Sequence, residues 1–127
     1  MKATTGEWVQ KAEGDFLTAE REFRASGANY DAVAFHAQQR AEKYLKARLV
    51  EAGVSFPKTH DLAVILNLAV PLEPPWERFR RALDALTSLG IEVRYPGVSA
   101  DREDATEALN TARAVREAVR SALGMES

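Results

Sequence analysis

The fold turns on the stretch Tyr30-Asp31-Ala32-Val33-Ala34-Phe35-His36-Ala37-Gln38-Gln39-Arg40-Ala41-Glu42-Lys43-Tyr44-Leu45-Lys46. Tyr30, Val33, Ala34, Ala37, Ala41, Tyr44 and Leu45 recur at the spacing of one helix face. Phe35, and Leu49 a little further on, point well away from that stripe. A helix with apolar residues on two sides is contacted on two sides, either at the centre of a bundle or at a subunit interface. The run predicts a helix from about Tyr30 to Ala52, with Asn29 as its N-cap and Gly53 closing its end.

Working outward, the same periodicity appears on both sides. Trp8, Val9, Ala12, Phe16, Ala19 and Phe23 share one face of a helix predicted over about Gly6 to Ala25. Thr4 and Glu7 are spaced as a capping box, and Gly27 follows the end. Beyond Gly53, Phe56-Pro57-Lys58-Thr59-His60-Asp61 reads as a loop. Thr59 is the expected cap of a short third helix through Leu62, Ile65, Leu66 and Ala69. Pro71, Pro74 and Pro75 end that helix and stiffen the connector. A fourth helix is predicted from about Trp76 to Leu89, with Phe79, Leu83 and Leu86 inward and Gly90 as its stop. Ile91 to Gly97 reads as an extended loop, because Pro96 biases Tyr95 away from the α region. Ser99 or Asp101 caps a fifth helix to about Leu123, and Glu103 and Asp104 suit its positive end. Its core face is Ala105, Leu109, Ala112, Val115, Val119 and Leu123. Strand signals are nearly absent. The expectation is an all-α, five-helix antiparallel up-and-down bundle forming one domain over residues 1–127.

Composition bounds the function. The chain has 127 residues, 46% hydrophobic and 28% charged, with a formal net charge of −2. That balance suits a globular domain and argues against a general nucleic-acid coat. With no Cys and only two His, a structural zinc site is not expected. There is no Gly-rich phosphate loop, no nucleophile elbow and no inward Glu-x-x-His pair. No cofactor or metal is expected. No apolar run reaches the length of a membrane span, and the first residues do not resemble a secretion signal. A cytoplasmic location is expected, with no membrane and no DNA partner.

Two features carry candidate chemistry. On the polar side of the second helix, His36, Gln39, Arg40 and Lys43 stack at helical spacing. Together they offer an imidazole, an amide, a guanidinium and an ammonium to a base, ribose or phosphate, or they simply form a solvated face. The loops supply Lys58, His60 and Asp61, then Arg94 and Tyr95, in positions where sites are common. Asp61 serves equally well as a helix cap, and Arg94 as a carboxylate partner. A basic stripe on the last helix, Arg102, Arg113, Arg116 and Arg120, reads either as solvated or as a contact for an acidic partner.

Four segments together carry a family resemblance. Phe35-His36-Ala37-Gln38-Gln39-Arg40-Ala41-Glu42-Lys43-Tyr44-Leu45-Lys46 resembles the second helix of HEPN domains. Trp8, Ala12, Asp15 and Phe16 resemble the family's opening helix. Lys58-Thr59-His60-Asp61-Leu62 resembles its His-Asp-Leu segment, and Arg94-Tyr95-Pro96-Gly97 its Arg-Tyr-Pro segment. The resemblance implies a helical bundle that commonly dimerises and pairs with a minimal nucleotidyltransferase in toxin–antitoxin-like modules. Nucleotide binding is also implied. Many HEPN proteins are ribonucleases that use an Arg followed a few residues later by a His near the last helix. This chain departs from that pattern, because no His follows Arg94 or Arg102. The expected function is therefore a non-catalytic HEPN subunit, with a homodimer, a nucleotidyltransferase partner and a bound nucleotide. No catalytic residue is assigned. The alternatives are a metal-independent ribonuclease using His36 or His60 as general base, and a purely structural dimer.

Overall fold

A computed structural model describes residues 1–126. Its helices are α1 (Ala3–Arg24), α2 (Tyr30–Glu51), α3 (Leu62–Ala69), α4 (Arg80–Glu92) and α5 (Arg102–Ala122), with a 3₁₀ segment at Pro74–Phe79. There is no strand among the described residues. None of these helices is long and apolar enough to cross a membrane.

Where a cap is written in side chains, the helix starts as expected. The Asn29 side chain accepts from the Ala32 N–H, and Asp101 forms a reciprocal box with Asp104. Each satisfies backbone donors that the first turn leaves unpaired. Gly53 adopts φ of 71°, and the Val54 N–H reaches back to the Leu49 carbonyl, the left-handed turn that glycine makes without steric cost. Four ends differ from expectation. Thr4 caps nothing, because α1 begins earlier, at Ala3. Its entry is fastened from outside: the Lys2 N–H and the Thr5 hydroxyl both donate to Glu51 Oε1, each at 2.9 Å. At α3 the cap is Asp61, whose carboxylate accepts from the Ala63 N–H, while Thr59 accepts from the Asp61 N–H. Gly90 does not stop α4, which continues through Ile91 to Glu92. An added Cβ there would lie 3.4 Å from Gln38 Cγ, an ordinary contact with a flexible side chain, so α4 meets α2 at this point. The Trp76–Phe79 stretch, expected as α-helix, is 3₁₀, set by Pro74 and Pro75 at its start.

Helix α2 is central. Val33, Ala34, Ala37, Ala41, Tyr44, Leu45 and Leu49 are all buried. The start of α1 is tied to the end of α2 through Glu51, and the end of α1 to its start through Glu22 and Asn29, so the two run antiparallel. Helix α5 runs alongside α2 in the same direction, since Asp31 accepts from the Ala100 N–H and Tyr30 meets Arg102. Leu62, Ile65 and Leu66 of α3 and Leu83 and Leu86 of α4 join the main core cluster on the other flank. Leu49 is thus covered within the chain, and only Phe35 keeps the outward position read from the sequence.

The basic stripe of α5 is engaged internally. Arg113 makes a forked pair with Glu20, and Arg116 bonds Glu13 at 2.7 Å. Arg102 lies over the Phe23 ring, and Arg120 donates to the Glu126 carbonyl. These contacts hold α5 to α1 and to the chain end. Burial alone would raise the Glu13 pKa. The hydrogen bonds from Arg116 and Tyr44, with the charges of Arg116 and Arg120, bring it below the ordinary carboxylate value instead. A group whose folded pKa is depressed adds stability above its unfolded value, about 4.3, and loses it as pH falls through the folded one. The stability difference between the wild type and Glu13→Gln should therefore be largest near neutral pH and shrink toward zero below about pH 4. Thermal melts across that range check this; a difference independent of pH would contradict it.

Candidate functional site

A cleft of about 250 Å³ opens where α2, the start of α3 and the end of α4 meet. Helix α2 contributes Phe35, Gln38 and Gln39, at the spacing that puts them on one side. The second wall is His60, Asp61 and Thr87, and the third is Gly90, Ile91 and Arg94. Two bonds lock the loop in place: Gln38 Nε2 donates to the His60 carbonyl at 2.7 Å, and the Leu62 N–H donates to Thr87 Oγ1 at 3.3 Å.

His60 is set from below. Its Nδ1 lies 2.9 Å from Glu42 Oε1, and the other Glu42 oxygen takes the Lys46 ammonium at 3.0 Å. Glu42 and Lys46 are buried, while 68% of the His60 side chain is exposed. Lys46 also donates to the Thr59 carbonyl and faces the rings of Trp8 and Phe56. A carboxylate holding Nδ1–H assigns the tautomer that leaves Nε2 bare as an acceptor. The cleft thus presents an oriented imidazole, the Gln39 amide and the Arg94 guanidinium between apolar walls from Phe35 and Ile91. Among the described residues no ion pair or hydrogen bond engages the Arg94 guanidinium, and no group of three or more His, Cys, Asp or Glu is placed to hold a metal ion.

Comparison with known proteins bears on the family and the fold. The family model described as HEPN domain matches residues 5–122. The chain belongs to the HEPN family. Two solved structures share the fold. TT1696 from Thermus thermophilus is 21% identical with a TM-score of 0.76, over 94% of this chain and 98% of that one. ST0689, described as an archaeal HEPN homologue, is 26% identical with a TM-score of 0.72, over 95% and 98%. No curated protein matches the chain.

In this HEPN domain the residues singled out from the sequence divide into three groups. Gln39, His60, Asp61 and Arg94 come together in the cleft, although Asp61 also spends one oxygen on capping α3. His36 and Lys43 are taken by Asp15 of α1, at 2.8 Å and 2.6 Å. Arg40 is 1% exposed, with its guanidinium stacked 3.6 Å from the centre of the Phe16 ring. Burial, then the nearby charge of Arg116, pushes its pKa down to about 10 against the pull of Glu13, Tyr44 and Glu20, so it stays cationic at neutral pH. The four polar residues of α2 therefore do not form one open face. They fan out around a helix that is covered on most sides, and α1 takes three of them. Lys58 and Tyr95 are exposed and do not line the cleft.

Glu42 and Gln38 were not singled out from the sequence, nor were Thr87 and Gly90 as wall residues. Glu42 and Lys46 did carry a signal, since they are spaced as a helical ion pair on a helix with apolar residues all round. Removing one partner of a buried pair strands the other charge. Glu42→Ala should cost about 3–5 kcal/mol of stability. Adding Lys46→Met should recover a large part of that loss, because the stranded ammonium is then gone. Denaturant unfolding of the single and double variants measures this; additive losses would contradict it.

Proposed function

We propose that this HEPN chain is a non-catalytic subunit that binds a phosphate-bearing nucleotide in the cleft. In this reading it works as a homodimer paired with a separate minimal nucleotidyltransferase, in a toxin–antitoxin-like module. The observation that carries the ligand site is the contrast among cations. Arg40 and Lys43 are consumed inside the fold, whereas Arg94 lies on the cleft beside His60 and Gln39 with its guanidinium uncommitted. A guanidinium suits phosphate through forked hydrogen bonds, and the apolar walls suit a base. The apolar rim supports the dimer: Phe35 is 43% and Ile91 51% exposed, and Tyr95 and Val98 are exposed in the loop that follows α4. Apolar side chains grouped in this way are commonly covered by a partner.

The non-catalytic reading rests on the missing His after Arg94 and Arg102, and on the commitment of His36 to Asp15. One observation favours the ribonuclease alternative: Glu42 holds His60 with Nε2 outward, an arrangement able to accept a proton. Calorimetry with nucleoside mono- and triphosphates, together with an RNA cleavage assay, separates the two. Binding should be modest and should fall with salt, since exposed charges are screened within about 8 Å at physiological ionic strength. Arg94→Ala should weaken it about tenfold, and Arg40→Met should leave it unchanged. No heat with any nucleotide would remove the ligand site. RNA cleavage that disappears in His60→Ala would replace the proposal with the ribonuclease. Co-purification with a co-expressed nucleotidyltransferase tests the pairing.

A further inference from the structure

A second and larger depression, about 580 Å³, runs between α4 and α5, away from the cleft. Helix α4 faces it with Ala82, Ala85 and Leu89, and α5 with Glu107 and Ala108. Glu92 lies at the end of α4, and no Lys or Arg lines the groove. Asp104 borders it too, but one of its oxygens is spent accepting from the Asp101 N–H. Among the described residues no ion pair engages Glu92 or Glu107.

We propose that this groove docks an amphipathic helix of another protein, with a small or aliphatic seam flanked by Lys or Arg. The wall residues repeat at the three- and four-residue spacing of two adjacent helix faces, and that profile receives a third helix rather than a strand. Ala82 and Ala85 on the α4 wall let a third backbone approach closely, Leu89 adds an apolar contact, and Asn110 and Thr111 make the α5 wall more polar. The charge pattern selects the occupant: unpaired carboxylates with no cation between them favour a basic flank and repel an acidic one.

The probe is a synthetic helical peptide with an alanine–leucine seam and lysine flanks, against a twin whose flanks are glutamate. Fluorescence anisotropy with the full chain should show binding of the lysine peptide only. The Glu92→Lys, Glu107→Lys double variant should weaken it at least about tenfold, with an unchanged circular-dichroism spectrum. Reversal of two carboxylates outside the groove, Glu7→Lys and Glu117→Lys, should have little effect, and so should Arg94→Ala in the cleft. Equal binding of both peptides would overturn the proposal, as would equal losses from the two charge-reversed pairs. A wild-type dimer that falls to monomer only in the Glu92→Lys, Glu107→Lys variant would also overturn it, by giving the groove to a second copy.

Discussion

The structure depends on one constraint: α2 is enclosed by other helices along most of its surface, yet it carries Arg40, Glu42, Lys43 and Lys46 in its middle. A charge that leaves water without a partner costs several kcal/mol, so each of these groups dictates what its neighbour must supply. Asp15 on α1 answers Lys43 and His36. Glu42 and Lys46 answer each other and are joined by His60. Arg40 is answered only in part. Phe16 gives it a ring face, but Nε and one terminal nitrogen are buried without a hydrogen-bond partner. These demands fix the position of α1 against α2 as firmly as the apolar packing does.

The same constraint builds the cleft. Because Glu42 and Lys46 are buried beneath it, the loop through Thr59 and His60 is drawn onto α2, with Gln38 holding the His60 carbonyl. Gly90 of α4 sits against Gln38, and Ile91 and Arg94 beyond it form the opposite side. The cleft is therefore a by-product of how a central helix disposes of its charges. Side chains that hold the fold together and those that face the cleft alternate along α2, with Arg40 on one side and Gln39 on the other.

Much of the fold was legible in the sequence, because apolar periodicity and side-chain caps are local signals. Asn29 and Asp101 act within a few residues of themselves, and the core stripes of α1, α2 and α5 follow helical spacing. Signals that depend on a distant partner were not legible. Glu51 fastens the start of α1 from far along the chain, so Thr4 looked like a cap. Gly90 looked like a helix stop, yet it lies inside α4 without the left-handed backbone of a glycine cap. The candidate site was half legible for the same reason. The loops at His60 and Arg94 do meet α2, which their residue types alone left open. Which face of α2 they meet depends on where α1 sits, and α1 covers His36, Arg40 and Lys43.

On the proposed reading, ligand chemistry in this HEPN domain belongs to the Gln39–His60–Arg94 cleft and not to the charged residues packed under α1. A nuclear magnetic resonance titration of the full chain with ATP, followed by amide and side-chain shifts, tests it most directly. Saturable shifts should concentrate at Phe35, Gln39, His60, Ile91 and Arg94, with the signals of Asp15, Phe16 and Arg40 nearly still. Shifts centred on Asp15, Arg40 and Lys43, or none above those caused by added salt, would contradict it.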